Sequence, residues 1–142
     1  MKTQINHPEC WGMRSASYWI TFTIAFGIIF IGIRFMLQPH TGAAGYGIAF
    51  SDVRDAAYGR IKGIRDIASG MVLLPLLFMR MRRAVAWVFM AAIVVPAADF
   101  LIVLASNGSA DSVHLLIHGT TAAVMIVNSF FLFQFKSPSV QS

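Results

Sequence analysis

Four apolar blocks, at residues 18–37, 60–79, 84–105 and 112–135, constrain this chain of 142 residues more than any other feature. A helix of about 20 apolar residues crosses a hydrocarbon core of about 30 Å, and each block is long enough to do so. The first, YWITFTIAFGIIFIGIRFML, exceeds the apolar stretch of about 7–15 residues in a signal peptide and lacks a cleavage site, so it reads as a retained helix. Composition agrees: 57% of residues are hydrophobic and 12% are charged, against about a quarter charged in soluble domains. So little polar material cannot cover a water-facing surface at this length. The expected fold is all-α, a four-helix transmembrane bundle forming one domain over residues 18–135, with short flanking segments at 1–17 and 136–142.

Basic residues encode orientation in a membrane protein. With the N-terminus inside, Lys2, Arg14, Arg80, Arg82, Arg83 and Lys136 share the cytoplasmic side, and the RMRR turn dominates because its loop is very short. Arg54, Arg60 and Lys62 oppose this near the second block, partly offset by Asp52 and Asp55. The expectation is N-in and C-in, in a bacterial inner membrane, with cytoplasmic tails. The connection QPHTGAAGYGIAFSDVRDAAYG is then extracytoplasmic and long for a helical bundle. Pro39 stops the first helix, Gly42, Gly45 and Gly47 permit bends, and the apolar residues between them suggest a cap folded over the bundle. In the SNGSADS turn, Ser112 is placed to cap the last helix.

The net charge of +5 is distributed between apolar blocks, without a recognition-helix pattern or basic–aromatic interleaving, so no nucleic-acid partner is expected. Cys10 is the single cysteine, which excludes an intrachain disulfide and metal sites built on paired cysteines. No nucleotide-binding loop is present, and no cofactor is expected.

The second block opens with charges, KGIRDIASG, where a spanning helix should have none. Helical rise explains why. At 1.5 Å per residue, Asp66, Asp99 and His118 each lie about 9 Å in from the outer ends of their helices, and Arg34 roughly 5 Å in. Arg65 lies one residue shallower than Asp66. Four helices therefore offer Arg34, Arg65, Asp66, Asp99 and His118 to one layer, with formal charges that balance. Each would cost at least a few kcal/mol to bury alone, so each should face the interior and find a partner. Arg–Asp pairs could serve as interhelical glue. Alternatively they line a polar cavity in which Asp99 and His118 exchange protons or bind a polar ligand, histidine being the side chain that titrates near neutral pH.

His114, Thr121 and Asn128 are secondary candidates. His114 and His118 share a helix face, and Asp99 could complete a metal site, but two histidines without a third firm ligand do not make one, and no metal is expected. His114 suits an interface at the helix start. Thr121 and Asn128 continue a polar stripe below His118, and Asn128 suits an interhelical hydrogen bond. Arg60 and Lys62 are expected to snorkel to headgroups. Pro75 and Pro96 should mark kinks, and Gly59 and Gly63 have small-xxx-small spacing.

GIRFMLQP, KGIRDIASG, and VPAADFLIVLASNG followed by His118 together resemble a domain-of-unknown-function family of small four-helix membrane proteins related to the DoxX-like superfamily. The resemblance runs from about Gly32 to Phe133. It places Pro39, Gly47, Lys62, Gly63, Arg65, Asp66, Gly70, Pro96, Asp99 and His118 at family-pattern positions, and leaves the first seventeen residues outside. It implies a four-helix fold in a membrane and brings no reaction.

The functional expectation is a membrane protein that binds a small molecule or proton in the outer half of the bilayer. The alternatives are an accessory or scaffold subunit whose charged cluster is structural, or a small enzyme using Asp99 and His118 as acid and base. The bilayer is the expected partner. A small-molecule ligand, a second copy of the chain, or another membrane subunit also fit.

Overall fold

The computed structural model describes residues 11–134; Lys2, Cys10 and Lys136 lie outside these. The described chain is helical: α1 (Ala16–Leu37), α2 (Pro39–Tyr46), a 3-10 turn (Val53–Asp55), α3 (Ala56–Phe78), α4 (Arg82–Ala92), α5 (Val94–Asn107) and α6 (Ser112–Gln134). The all-α expectation holds. The four-helix bundle does not, because the long first connection contains a helix of its own, α2. Counting α4 and α5 as one rod interrupted at Ile93, there are five helices among the described residues.

The interruption has a local cause. Pro96 lacks the N–H that would bond the Ala92 carbonyl, and its ring crowds that same carbonyl. The ladder continues on either side, with the Ile93 amide donating to Phe89 O (3.1 Å) and the Ala97 amide to Ile93 O (3.2 Å). Pro75 lies inside α3, which runs through it unbroken.

The count of four spans is corrected too. Ala16–Leu37, Arg82–Asn107 and Ser112–Gln134 are long and apolar enough to cross a membrane. At 23 residues α3 is as long as Ser112–Gln134, but Arg60, Lys62, Arg65 and Asp66 fill its first half. It starts at Ala56, a turn before the apolar block, because an Asp52–Asp55 capping box leads into it: Asp52 accepts from the Arg54 amide (2.8 Å) and Asp55 from the Asp52 amide (3.0 Å).

α1 packs most extensively on α3. A Cβ on Gly32 would sit 2.6 Å from the Gly63 carbonyl oxygen, and one on Gly63 2.7 Å from that of Gly32, so the two backbones touch only because both residues lack side chains. The apolar core, built on Leu73, Leu77, Val85, Phe89, Met125 and Leu132, lies towards the α3–α4 turn. Large apolar residues such as Phe26, Phe30, Leu101, Leu116 and Phe130 face outward. Apolar surface on this scale is what lipid covers.

Candidate functional site

α2 begins with Pro39 at its first position, where a missing N–H costs nothing, and ends at Gly47 with φ 105°. That left-handed geometry favours glycine, and a Cβ there would also lie 2.9 Å from the His114 ring, so the position is doubly restricted. The short helix presents Tyr46 at its last turn, and the polar residues gather around it.

His118, 8% exposed, places Nε2 3.0 Å from the Tyr46 carbonyl oxygen. A carbonyl only accepts, so Nε2 carries the proton. The two rings meet edge to face, centroids 4.6 Å apart. From α3, the Lys62 ammonium lies 4.7 Å from the Tyr46 ring centroid and 4.9 Å from that of Phe35. It also donates to Asp66 Oδ2 at 2.6 Å, an i,i+4 pair with side chains 30% and 17% exposed. From α5, the half-buried Asp99 carboxylate interacts with the Tyr46 hydroxyl. Burial, that interaction, and the charges of Asp99 and Asp66 all raise the pKa of the Tyr46 phenol, so it stays protonated.

Three of the five main candidates, Asp66, Asp99 and His118, therefore gather at one aromatic residue. The two arginines do not. Arg34 is exposed and reaches over α2 to the Thr41 carbonyl (3.4 Å). Arg65 is exposed, and Asp66 takes Lys62 as its partner. Pairing across one helical turn keeps Lys62 on the Asp66 face, whereas Arg65 is rotated by about 100° from it. Lys62 thus does not snorkel to headgroups as its position near a helix end suggested.

The secondary candidates serve the scaffold. His114 Nδ1 lies 2.7 Å from Asp111 Oδ1, beside Gly47. Asn107 Nδ2 donates to both Gly47 O and Asp111 Oδ2 at 2.6 Å, so the α5–α6 turn latches onto the end of α2. Hydrogen bonds from Asn107 and His114 hold the Asp111 carboxyl below the usual carboxylate range. Ser112 is the first residue of α6 rather than its cap. Thr121 donates to Ile117 O of its own helix at 2.8 Å. With Ile24, Leu116, Ile117, Thr120 and Val124 it lines an apolar groove of about 390 Å³ between α1 and α6. Asn128 makes the expected interhelical bond, Nδ2 to Thr21 Oγ1 at 2.9 Å, while its buried Oδ1 has no partner among the described residues. Among the described residues, no three His, Cys, Asp or Glu side chains group to hold a metal ion.

Tyr46, Lys62 and Asn107 were not legible as site residues. For Lys62 a signal existed, the spacing of four to Asp66; Tyr46 and Asn107 depend on a tertiary fold-back that the sequence does not announce. No curated protein and no solved structure matches the chain. A family model described as Domain of unknown function (DUF4267) matches residues 25–132, most of the chain and all of the Tyr46 cluster, and the chain belongs to that family.

Proposed function

We propose that this protein binds a small molecule or proton in the polar cluster beneath α2, within a bacterial inner membrane. The observation that carries this reading is the convergence of α3, α5 and α6 on Tyr46 through Lys62, Asp66, Asp99 and His118. Ionisable side chains at this depth are expensive, and helix association alone would be served by small or neutral polar residues. The likeness to the DoxX-like superfamily belongs to the same reading, supported by the KGIRD, Pro96–Asp99 and His118 pattern, and adds no reaction to it.

A scaffold role is the second reading, favoured by two satisfied ties: Lys62 to Asp66, and His118 to the Tyr46 carbonyl. The same tie weakens the acid–base enzyme reading, since it commits Nε2 and leaves one ring nitrogen for proton transfer. The binding and scaffold readings differ in whether water reaches Asp99. With Cys10 replaced by serine the chain has no cysteine, so single cysteines can be introduced at Asp99 and, as a core control, at Phe89, which is 0% exposed. Reaction with 2-aminoethyl methanethiosulfonate in detergent should be fast for Asp99→Cys and slow for Phe89→Cys, because the reagent needs an accessible thiolate. Equal protection of both would leave a closed structural interface and favour the scaffold.

A further inference from the structure

Charge is divided unevenly between the two ends of the molecule. Every described acidic side chain, from Asp52 to Asp111, lies in the α2 half, where an equal number of basic ones accompanies them. The α3–α4 end carries Arg14, Arg80, Arg82 and Arg83 and, among the described residues, no acidic side chain. Arg14, Arg80 and Arg83 are exposed, and none of the three forms an ion pair with a described residue.

Arg80 occupies a position where glycine is the usual choice. The turn after α3 closes with the Met81 amide donating to Leu76 O (2.9 Å) and the Arg80 amide to Leu77 O (3.0 Å). That pair of bonds ends a helix through a left-handed residue. Arg80 is that residue, with φ 55°, and it is the one non-glycine with positive φ among the described residues. A side chain there carries a backbone cost that glycine avoids, so an arginine in this place needs a use. Its direction suggests one. A Cβ on buried Gly12 would lie 3.4 Å from Arg80 Nε and 3.6 Å from Cζ, so the guanidinium rests on the chain just ahead of α1. The Ser15 amide donates to Gly12 O (2.8 Å), and this turn holds Arg14 beside the same contact. Exposed Trp19 and Trp87 stand within two turns of the starts of α1 and α4 at this end, the depth at which indole rings meet headgroups.

From this we propose that the α3–α4 end binds the headgroup of an anionic phospholipid, with Arg80 as the oriented donor to its phosphate and Arg14 and Arg83 adding charge. The site is separate from the Tyr46 cluster and does not depend on it. A guanidinium fork matches phosphate oxygens. A zwitterionic headgroup would bring its own ammonium into an all-positive end. A free phosphate would lack the acyl chains that cover the exposed apolar side chains beside the turn, Phe78 and Met79.

The test uses the purified full-length chain in a neutral detergent, with thermal unfolding followed as a short-chain lipid is titrated in. A ligand that binds only the folded state raises Tm in a saturable way. Dioctanoyl phosphatidylglycerol should raise Tm by several degrees, whereas dioctanoyl phosphatidylcholine and inorganic phosphate at equal concentration should not. Arg80→Gly suits the left-handed backbone and should fold, yet its apparent affinity for phosphatidylglycerol should fall by about fivefold or more, the worth of one arginine at an anionic surface. Arg60→Gln, at the α2 end, should keep the wild-type affinity. Should Arg80→Gly fail to fold, Arg83→Met decides instead, with a loss of about fivefold expected and wild-type affinity overturning the inference. No shift with phosphatidylglycerol, or an equal one with phosphatidylcholine, would overturn it as well. An equal shift with inorganic phosphate would leave a free-anion site and remove the lipid. Wild-type affinity in Arg80→Gly, or an equal loss in Arg60→Gln, would take the site away from the α3–α4 turn.

Discussion

The two ends of this molecule hold charge in opposite ways. At the α2 end, charges of both signs are drawn among the helices and tied to Tyr46, with Lys62 and Asp66 paired at 30% and 17% exposure. At the α3–α4 turn, Arg80 and Arg83 are exposed and of one sign, and Gly12 packs against the Arg80 side chain. Tryptophans gather near them: Trp11 donates to Ser17 at 2.8 Å, and Trp87 lies edge-on to Phe133. The basic end has the composition of a membrane boundary, where aromatic and cationic side chains sit at the headgroups. The α2 end has the composition of an interior site, where each charge must be answered. The difference is one of desolvation: removing a charge should matter at one end and hardly at the other.

The largest expected difference follows from that contrast. Lys62→Met leaves Asp66 without its cation in a partly buried setting. Removing one partner of a fully buried pair costs about 3–5 kcal/mol, and the partial exposure here reduces that to about 2 kcal/mol. Asp66→Asn added to Lys62→Met should recover part of the loss. Arg83→Met, at the other end, removes an exposed charge beside Arg82 and should stay within about 0.5 kcal/mol of wild type. Chemical unfolding in detergent measures all of these. Similar losses at Lys62 and Arg83 would show that the two ends do not differ in desolvation.

A sharper form of the comparison uses two glycines near α2. Gly47 and Gly108 both have positive φ, 105° and 72°, but only Gly47 packs against a neighbour, the His114 ring. Gly108→Ala should cost about 2 kcal/mol for the backbone alone, since φ 72° with ψ −174° is a conformation essentially confined to glycine. Gly47→Ala should cost about 3 kcal/mol or more, since besides its left-handed backbone it also forces the latch apart. Equal costs would mean that the α2 end is free to move away from α6.

How much of this was legible follows the physics of each residue. Asp66, Asp99 and His118 stand out in the sequence because an ionisable group in an apolar helix needs a reason, and helical rise alone puts them at one depth. The break at Ile93 was half legible: Pro96 marks a disturbance, and the missing bond to Ala92 says where. Charge balance points Arg34 and Arg65 inward, yet long arginine side chains reach the surface with little penalty, and both do. A place near a helix end points Lys62 outward, although its spacing of four to Asp66 argues for a pair. Tyr46 and the α2 helix were hidden because a connection of mixed small and apolar residues has no periodicity to read. Its conformation is decided by Asn107 and His118, sixty or more residues away.

The smallest expected effect concerns the latch between the α5–α6 turn and α2. Hydrogen bonds from Asn107 and His114 lower the Asp111 pKa in the folded state. A lowered carboxyl pKa contributes stability that is present above the unfolded value of about 3.9 and is lost as the pH falls through the folded value. Wild type should therefore melt above Asp111→Asn near neutral pH, by roughly 1–2 °C for a surface group. The gap should close as the pH falls below the ordinary carboxylate range. A gap that widens in acid would reverse the sign and contradict the assigned hydrogen bonds.

Tyr46 as the point where α2, α3, α5 and α6 meet is the claim on which the rest depends, and a double-mutant cycle between its hydroxyl and Asp99 tests it most directly. Tyr46→Phe, Asp99→Asn and the double variant are compared with wild type by chemical unfolding in detergent. If the phenol and the carboxylate interact, the coupling energy should be about 1 kcal/mol or more, in the range for residues that share a hydrogen-bonded network. Strictly additive losses would mean that Tyr46 does not touch Asp99, and that α2 does not close over a common site.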